Sequence, residues 1–333
     1  MMHDHDRGPE LHAPSSKTQG MLASRVDLLS QILAMVSLHG EIVFTAELSQ
    51  PWALRVPPGA AYFLIVLEGG LTIANDQGRV LQVATGDLIM LPRGVGHGLS
   101  DGQCTTEADL ATLMAEQFTA EQLNVSHGGG GAPTRLIAGA FHFASAAVPW
   151  VVSALPSVIH IPKASGETTG WAEGLGYFMM KEAREVYPGA SIMISRLIDV
   201  LVIRILRSWV RIEQGGSVGW LGALGDPRIS RALKAIHDEP YRRWTVLDLA
   251  KVAGLSRSGF AARFTALVKE APLAYHSRWR LTLALSLMRQ PDAKVGSVAR
   301  QVGYDSEAAF SRAFKAQFGF APMNAKSAMV QDR

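Results

Sequence analysis

Cysteine is nearly absent from this 333-residue chain: Cys104 is the single one. Neither an intramolecular disulfide nor a multi-cysteine zinc site can be built from it, which agrees with a reducing, cytoplasmic setting. A lone thiol can still form a sulfenic acid, a mixed disulfide or an intersubunit bridge, so Cys104 is either an oxidant sensor or an incidental residue. The stretch Met1–Lys17 has no apolar signal-peptide core. It is polar, carries His3, His5 and His12, and reads as part of a solvated, disordered leader over residues 1–22. Long hydrophobic runs are missing too. Ile192–Val210 comes closest, but Arg196, Asp199, Arg204 and Arg207 interrupt it, and a bilayer core tolerates such charges poorly. On a helix these charges gather with Arg211 on one side while apolar residues cover the remaining circumference. That pattern fits a helix buried against its own domain, with apolar surface left for a second subunit, and no membrane association is expected.

Charge is sparse, at 18% of residues against 48% hydrophobic, so there is ample core, and the length suggests two domains. The net charge of +3 hides an uneven distribution. Residues 226–333 hold 18 of the 32 Lys and Arg but only 9 of the 29 Asp and Glu. A basic C-terminal third joined to an acidic remainder is the footprint of a polyanion-binding module attached to something else.

The pattern along the chain supports that division. Val26–Leu38 has helical spacing. From Glu41 to His97 short β runs alternate with turn signals, among them Asn75-Asp76-Gln77-Gly78 and Thr85-Gly86-Asp87. Strands at that spacing predict a small barrel or sandwich. The four-glycine run Gly128–Gly131 marks an exposed loop, Leu136–Phe143 a returning strand, and Leu155–Pro162 an edge segment. Helices follow from about Gly170 to Glu213. Gln214-Gly215-Gly216-Ser217 opens a linker over 214–225, and from Asp226-Pro227 the chain is helical to about Phe318.

Within the β region, Gly86-Asp87-Leu88-Ile89-Met90-Leu91-Pro92-Arg93-Gly94-Val95-Gly96-His97 resembles the second cupin motif. The resemblance implies that His97 points into a barrel. The first cupin motif, with two His and a Glu, is not there: its His positions after Gly59 hold Ile65 and Leu67, and Asp101 stands where the second motif has Asn. One surviving ligand does not make a redox metal centre, which wants three or four nitrogen and oxygen donors, unless His142 and His160 approach His97. The expectation is therefore no metal and no cofactor. A shell without its metal set suits a small-molecule pocket, with Tyr62, Leu64, Leu91 and Phe141 as apolar lining and Arg93 and His97 as polar groups. The same residues are more often plain core.

The C-terminal third contains one short pattern twice. The first copy is Leu249-Ala250-x-x-Ala253-Gly254-Leu255-Ser256 followed by Phe260 and Phe264; the second is Val298-Ala299-x-x-Val302-Gly303-Tyr304-Asp305 followed by Phe310 and Phe314. Each places a small residue on a first helix, Gly at a tight turn, a polar helix start and two apolar anchors one turn apart. That is the sequence form of a helix-turn-helix, whose second helix lies in the DNA major groove. Thr245 with Asp248 predicts a capping box, Ser256 caps the first recognition helix, and Asp305 or Ser306 the second. Arg257, Ser258, Ala261 and Ala262 then face DNA, with Arg263 the remaining basic residue of that helix. In the second unit Glu307, Ala308, Ser311 and Arg312 face out. Arg312 is the candidate base reader, because a guanidinium grips a guanine edge in a bidentate manner, and Lys315 and Arg300 are candidate phosphate contacts. Between the units Pro272 starts a helix running to about Met288.

With both halves read, residues from about 25 to 325 resemble the AraC/XylS-type transcriptional regulators that carry a cupin-like N-terminal domain. Phe318-Gly319-Phe320-Ala321-Pro322 fits the family, although Ala325-Lys326 replaces its usual Tyr-Arg pair. The expected fold is a two-domain α+β chain. A cupin-like β-barrel with a helical extension occupies 23–213, and an all-α domain with two helix-turn-helix motifs occupies 226–325. The resemblance implies a sequence-specific DNA-binding regulator, more an activator than a repressor. It also implies promoter DNA, a second copy of the chain, RNA polymerase and a small-molecule effector as partners. Two rivals remain open: a metal-dependent cupin enzyme with an accessory DNA-binding domain, and a non-specific architectural DNA protein.

Overall fold

A computed structural model describes residues 38–74, 80–103, 106–119, 122–143, 152, 155–167, 170–185, 187–212, 223 and 225–325. The expected leader, the helix before Leu38, the turn at Asn75–Gly78, Cys104 and nearly all of the linker lie outside them. Eleven strands are assigned among the described residues: β1 Leu38–Ser49, β2 Ala53–Val56, β3 Ala61–Glu68, β4 Gly70–Ala74, β5 Val80–Ala84, β6 Leu88–Leu91, β7 His97–Ser100, β8 Ala108–Asp109, β9 Asn124–Gly128, β10 Pro133–Phe143 and β11 Ile159–Ile161. A short helix, α1 Leu110–Gln117, separates β8 from β9, and two longer ones, α2 Trp171–Glu185 and α3 Ala190–Ile212, follow the last strand.

The strands form two sheets, one of six in the order β11-β6-β3-β10-β1-β9 and one of five in the order β5-β4-β7-β2-β8. The expected barrel thus takes the form of two facing sheets. The six-stranded sheet is covered on both sides, and its central strands are apolar at nearly every position for that reason. Along β3, Tyr62, Leu64 and Val66 enter the core between the sheets. Phe63 and Ile65 enter the core formed with α2 and α3. The same alternation runs through β6 and β10. The expected edge segment is β11, which among the described residues pairs only β6, through Ile159–Ile161. Asp87, in the expected Thr85–Asp87 turn, is the polar rivet at that edge. It accepts from the Ala84 amide (3.0 Å), the Lys163 amide (2.8 Å) and His160 Nε2 (2.8 Å).

On α3 the stripe Ile198, Leu201, Val202, Ile205, Leu206 and Trp209 is buried. Ile192, Met193 and Val200 on the same helix remain exposed. Glu167 fastens its C-terminal end, accepting from Ser208 (3.1 Å) and pairing with Arg211.

From Asp226 onward the described chain is helical: α4 Pro227–Asp238, α5 Val246–Ala253, α6 Arg257–Val268, α7 Pro272–Met288, α8 Val295–Gln301 and α9 Glu307–Phe318. Helix α7 has the bounds that Pro272 and the apolar spacing predict. One side of it, with Tyr275 and Trp279, closes the core over Phe260 and Phe264. Leu281, Ala284, Leu285 and Met288 close a second core over Phe310 and Phe314. A single helix is therefore shared by two small units, α4–α6 on one side and α8–α9 on the other.

Candidate nucleic-acid interface

Local chemistry fixes each unit's turn. Thr245 and Asp248 form the expected reciprocal capping box at the start of α5, which satisfies two amides left open by the helix end. Gly254 ends α5 at φ +67°, and Gly303 occupies the matching place after α8 at φ +82°. Both lie in the left-handed region, where a Cβ is costly. Ser256 then caps α6, accepting from the Gly259 amide at 3.2 Å. Of the two candidates in the second unit, Ser306 is the cap of α9, accepting from the Ala309 amide at 3.2 Å. Asp305 instead pairs with Arg243 on the loop before α5.

With Phe260, Phe264, Phe310 and Phe314 fully buried, helical geometry sets the opposite faces. On α6 that face presents Ser258, Ala262, Thr265 and Ala266, all exposed. On α9 the equivalent positions, fifty residues on, are Ala308, Arg312, Lys315 and Ala316, again all exposed. The two recognition helices are thus matched in frame and opposite in chemistry: the first is small and neutral, the second carries two cations.

The remaining expected contacts divide. Arg257, Arg300 and Glu307 are exposed, whereas Ala261 and Ser311 are half-buried at the flanks of their helices. Arg263 is exposed but engaged: its Nε donates to Asp226 at 2.6 Å. Burial of Asp226 would raise its pKa, yet the amides of Ile229 and Arg228 and the Arg263 guanidinium outweigh that and hold it low. Thr265 and Ala266 were not among the expected contacts; their place on the outward face emerges only once Phe260 and Phe264 fix the rotation of α6.

Two further arginines escaped the sequence reading. Arg231 on α4 donates to the carbonyls of Val252 (3.3 Å) and Ala253 (3.0 Å) at the end of α5. Arg280 on α7 donates to those of Val302 (3.2 Å) and Gly303 (3.4 Å) at the end of α8. They stand 49 residues apart, the offset that relates Gly254 to Gly303. That offset was the signal that could have found them. Behind the first unit, His237 bonds Tyr275 Oη at 2.7 Å and stacks on Trp279.

In the N-terminal domain Tyr62, Leu64 and Leu91 come together between the sheets. Phe141 does not join them; it lies on the other face of the sheet, in the core with α2 and α3, because β10 alternates. Arg93 donates from Nε to the Leu155 carbonyl at 2.6 Å, and His97 is half-buried on β7 opposite Val56. His142 and His160 each have a carboxylate of their own, Glu41 at 3.0 Å and Asp87 at 2.8 Å. No group of three or more metal-ligating side chains is gathered among the described residues. Nor is any described helix long and apolar enough to cross a membrane.

Family models and sequence relatives agree with this architecture. A cupin family model matches residues 27–211 and a helix-turn-helix domain model residues 249–327. A putative AraC-like transcription regulator of Streptomyces lividans is 32% identical over 302 residues, covering 89% of this chain and 97% of its own. The HTH-type transcriptional regulator AlkR of Acinetobacter baylyi is 30% identical, covering 89% and 98%. Among solved structures, ToxT of Vibrio cholerae bound to an unsaturated fatty acid aligns at 10% identity with a TM-score of 0.33, covering 85% and 93%. The fold and paired turns define a two-domain DNA-binding protein. The chain belongs to the AraC-type transcriptional regulators with a cupin N-terminal domain, and it is a DNA-binding transcription regulator, not an enzyme.

Proposed function

We propose that the two units read DNA unequally, α9 supplying sequence recognition and α6 supplying shape and backbone contact. The observation that carries this is the contrast between the outward faces. Arg312 stands where α6 has Ala262, and Lys315 where α6 has Thr265. A bidentate guanidinium discriminates a guanine edge by about 1–3 kcal/mol. Small side chains admit close approach and contact thymine methyl groups without such discrimination. Arg257 and Arg300 are phosphate contacts, and Glu307, Ala261 and Ser311 flank the reading face. Arg263 acts through Asp226 as a support of α4 and α6.

The N-terminal domain, residues 23–213, senses and dimerises, and the linker 214–225 joins it to the DNA-binding domain at 226–325. Apolar Ile192, Met193 and Val200 exposed on α3 support a second copy of the chain as its partner. The indole N–H of Trp52 is buried within the inter-sheet core with no acceptor among the described residues. That is a donor suited to an apolar effector bearing one acceptor, bound beside Tyr62, Leu64 and Leu91. Effector binding shifts how the paired domains present their DNA-binding units, and the protein acts in the cytoplasm as an activator in contact with RNA polymerase.

Selection of bound duplexes from random DNA, repeated with Arg312→Ala, tests the reading. Each copy of the wild-type chain should account for two half-sites, and the variant should lose preference at one position of one of them while keeping salt-sensitive affinity. Unchanged base preference in the variant would remove Arg312 from that role.

A further inference from the structure

The same device, an arginine clamped on the last carbonyls of a turn, occurs once in each unit, but its two copies differ in what they connect. Arg231 sits on α4 and grips the end of α5, so it works inside the first unit. Arg280 sits on α7, the helix both units share, and grips the turn of the second. Its guanidinium also lies over the Tyr304 ring, 5.2 Å from the centroid, and Tyr304 in turn meets Phe310 of α9 edge-on. One side chain therefore links the connector helix to the root of the second recognition helix.

The first unit reaches the same place from its other side. The Tyr241 carbonyl lies 3.5 Å from where a Cβ on Gly303 would stand, and Arg280 Nη1 lies 2.9 Å from it. The loop carrying Tyr241 is itself tied to α7, since the Pro240 carbonyl is 2.7 Å from His276 Nε2. Arg243 of that loop pairs with Asp305 just past the turn. The ion pair is exposed on both sides, so by itself it contributes little. The half-buried Arg280 is the principal polar tie, added to the apolar core that Leu281, Ala284, Leu285 and Met288 form with Phe310 and Phe314.

We propose that Arg280 is a positioning residue for DNA recognition: it fixes the angle and phase of α9 relative to α6, and thereby the half-site spacing the protein accepts. The inference rests on the reading that both units engage DNA. One inserted base pair rotates a half-site by about 34° and moves it along the axis. Rigidly held helices reject such a change and loosely held ones follow it.

The experiment uses the full-length protein and a duplex that the wild type selects from random DNA. Affinity is measured for that duplex and for versions with one base pair inserted or deleted between the half-sites. The wild type should lose at least about tenfold on either change. Arg280→Met, which keeps the buried stem and removes the donors, should bind the three duplexes within about threefold of one another. Affinity for a duplex bearing the second half-site alone should not change. Arg280→Lys keeps charge and stem but not the fork, and decides the matter should the methionine variant not fold. A variant with the wild-type spacing profile, or one weakened equally on every duplex as loss of a phosphate contact would do, overturns the inference. A flat profile for the wild type itself instead removes the two-unit reading, and this inference with it.

Discussion

Arg263 and Asp226 form a charged bridge between the two ends of the first unit, with Nε to Oδ2 at 2.6 Å. Asp226 simultaneously caps α4 through the amides of Arg228 and Ile229. Removing the arginine leaves that nearly buried carboxylate with amide partners only. Arg263→Gln should therefore destabilise the DNA-binding domain by about 1–2 kcal/mol, visible as a lower Tm, while base preference in site selection stays as in the wild type. Altered base preference at unchanged Tm would show that Arg263 touches DNA instead.

Lys315 carries the exposed charge most simply assigned to a phosphate. Lys315→Ala should weaken binding to selected and unrelated duplexes alike and reduce the slope of log affinity against log salt by about 0.9. A loss confined to one sequence would assign it to a base.

The two capping candidates of α9 are neighbours with opposite expected costs. Ser306→Ala removes the hydroxyl that accepts from the Ala309 amide and should cost about 1 kcal/mol. Asp305→Ala removes only an exposed ion pair and should change Tm little. Equal effects in thermal melts would contradict the assignment of Ser306 as the cap.

His237 is 6% exposed, and burial pushes its pKa from 6.5 down to about 3, with nearby Asp238 opposing and Arg278 reinforcing the shift. In the unfolded chain it takes up a proton near 6.5, whereas the folded domain refuses one until near 3. Its contribution to stability is therefore complete above 6.5 and is lost progressively as pH falls toward 3. Carboxylates such as Asp226 and Asp248, whose values lie below the ordinary range, stay ionised over the upper part of that window. Urea melts between pH 7 and about 5 should show a decline that His237→Gln reduces, the remainder including His276, whose pKa burial also lowers. Persistence of the full slope in the variant would assign it to other groups.

Much of the DNA-binding half was legible because its signals are local. Glycine at positive φ, hydroxyl caps, a proline at the first turn of α7 and phenylalanines one turn apart each act within a few residues, and each stands where the repeat predicts. The β half was legible in kind but not in facing. Strands buried on both sides are apolar throughout, so periodicity could not say which neighbour each side chain meets. Phe141 was accordingly grouped with Tyr62, though one faces the helices and the other the second sheet. The facing of Arg263 was not legible for a related reason, since its partner Asp226 lies 37 residues away at the start of another helix.

The sequence by itself determined that two helix-turn-helix units follow a cupin-like domain, and which helix of each unit faces outward. Those features depend on spacing and on backbone conformations that only particular residues adopt. Tertiary structure decided which cations are engaged by other parts of the chain and how the units are joined. Arg263 is drawn to Asp226 and Arg280 to the Gly303 turn because packing brings distant chain segments within hydrogen-bonding distance, a range over which no local pattern carries information.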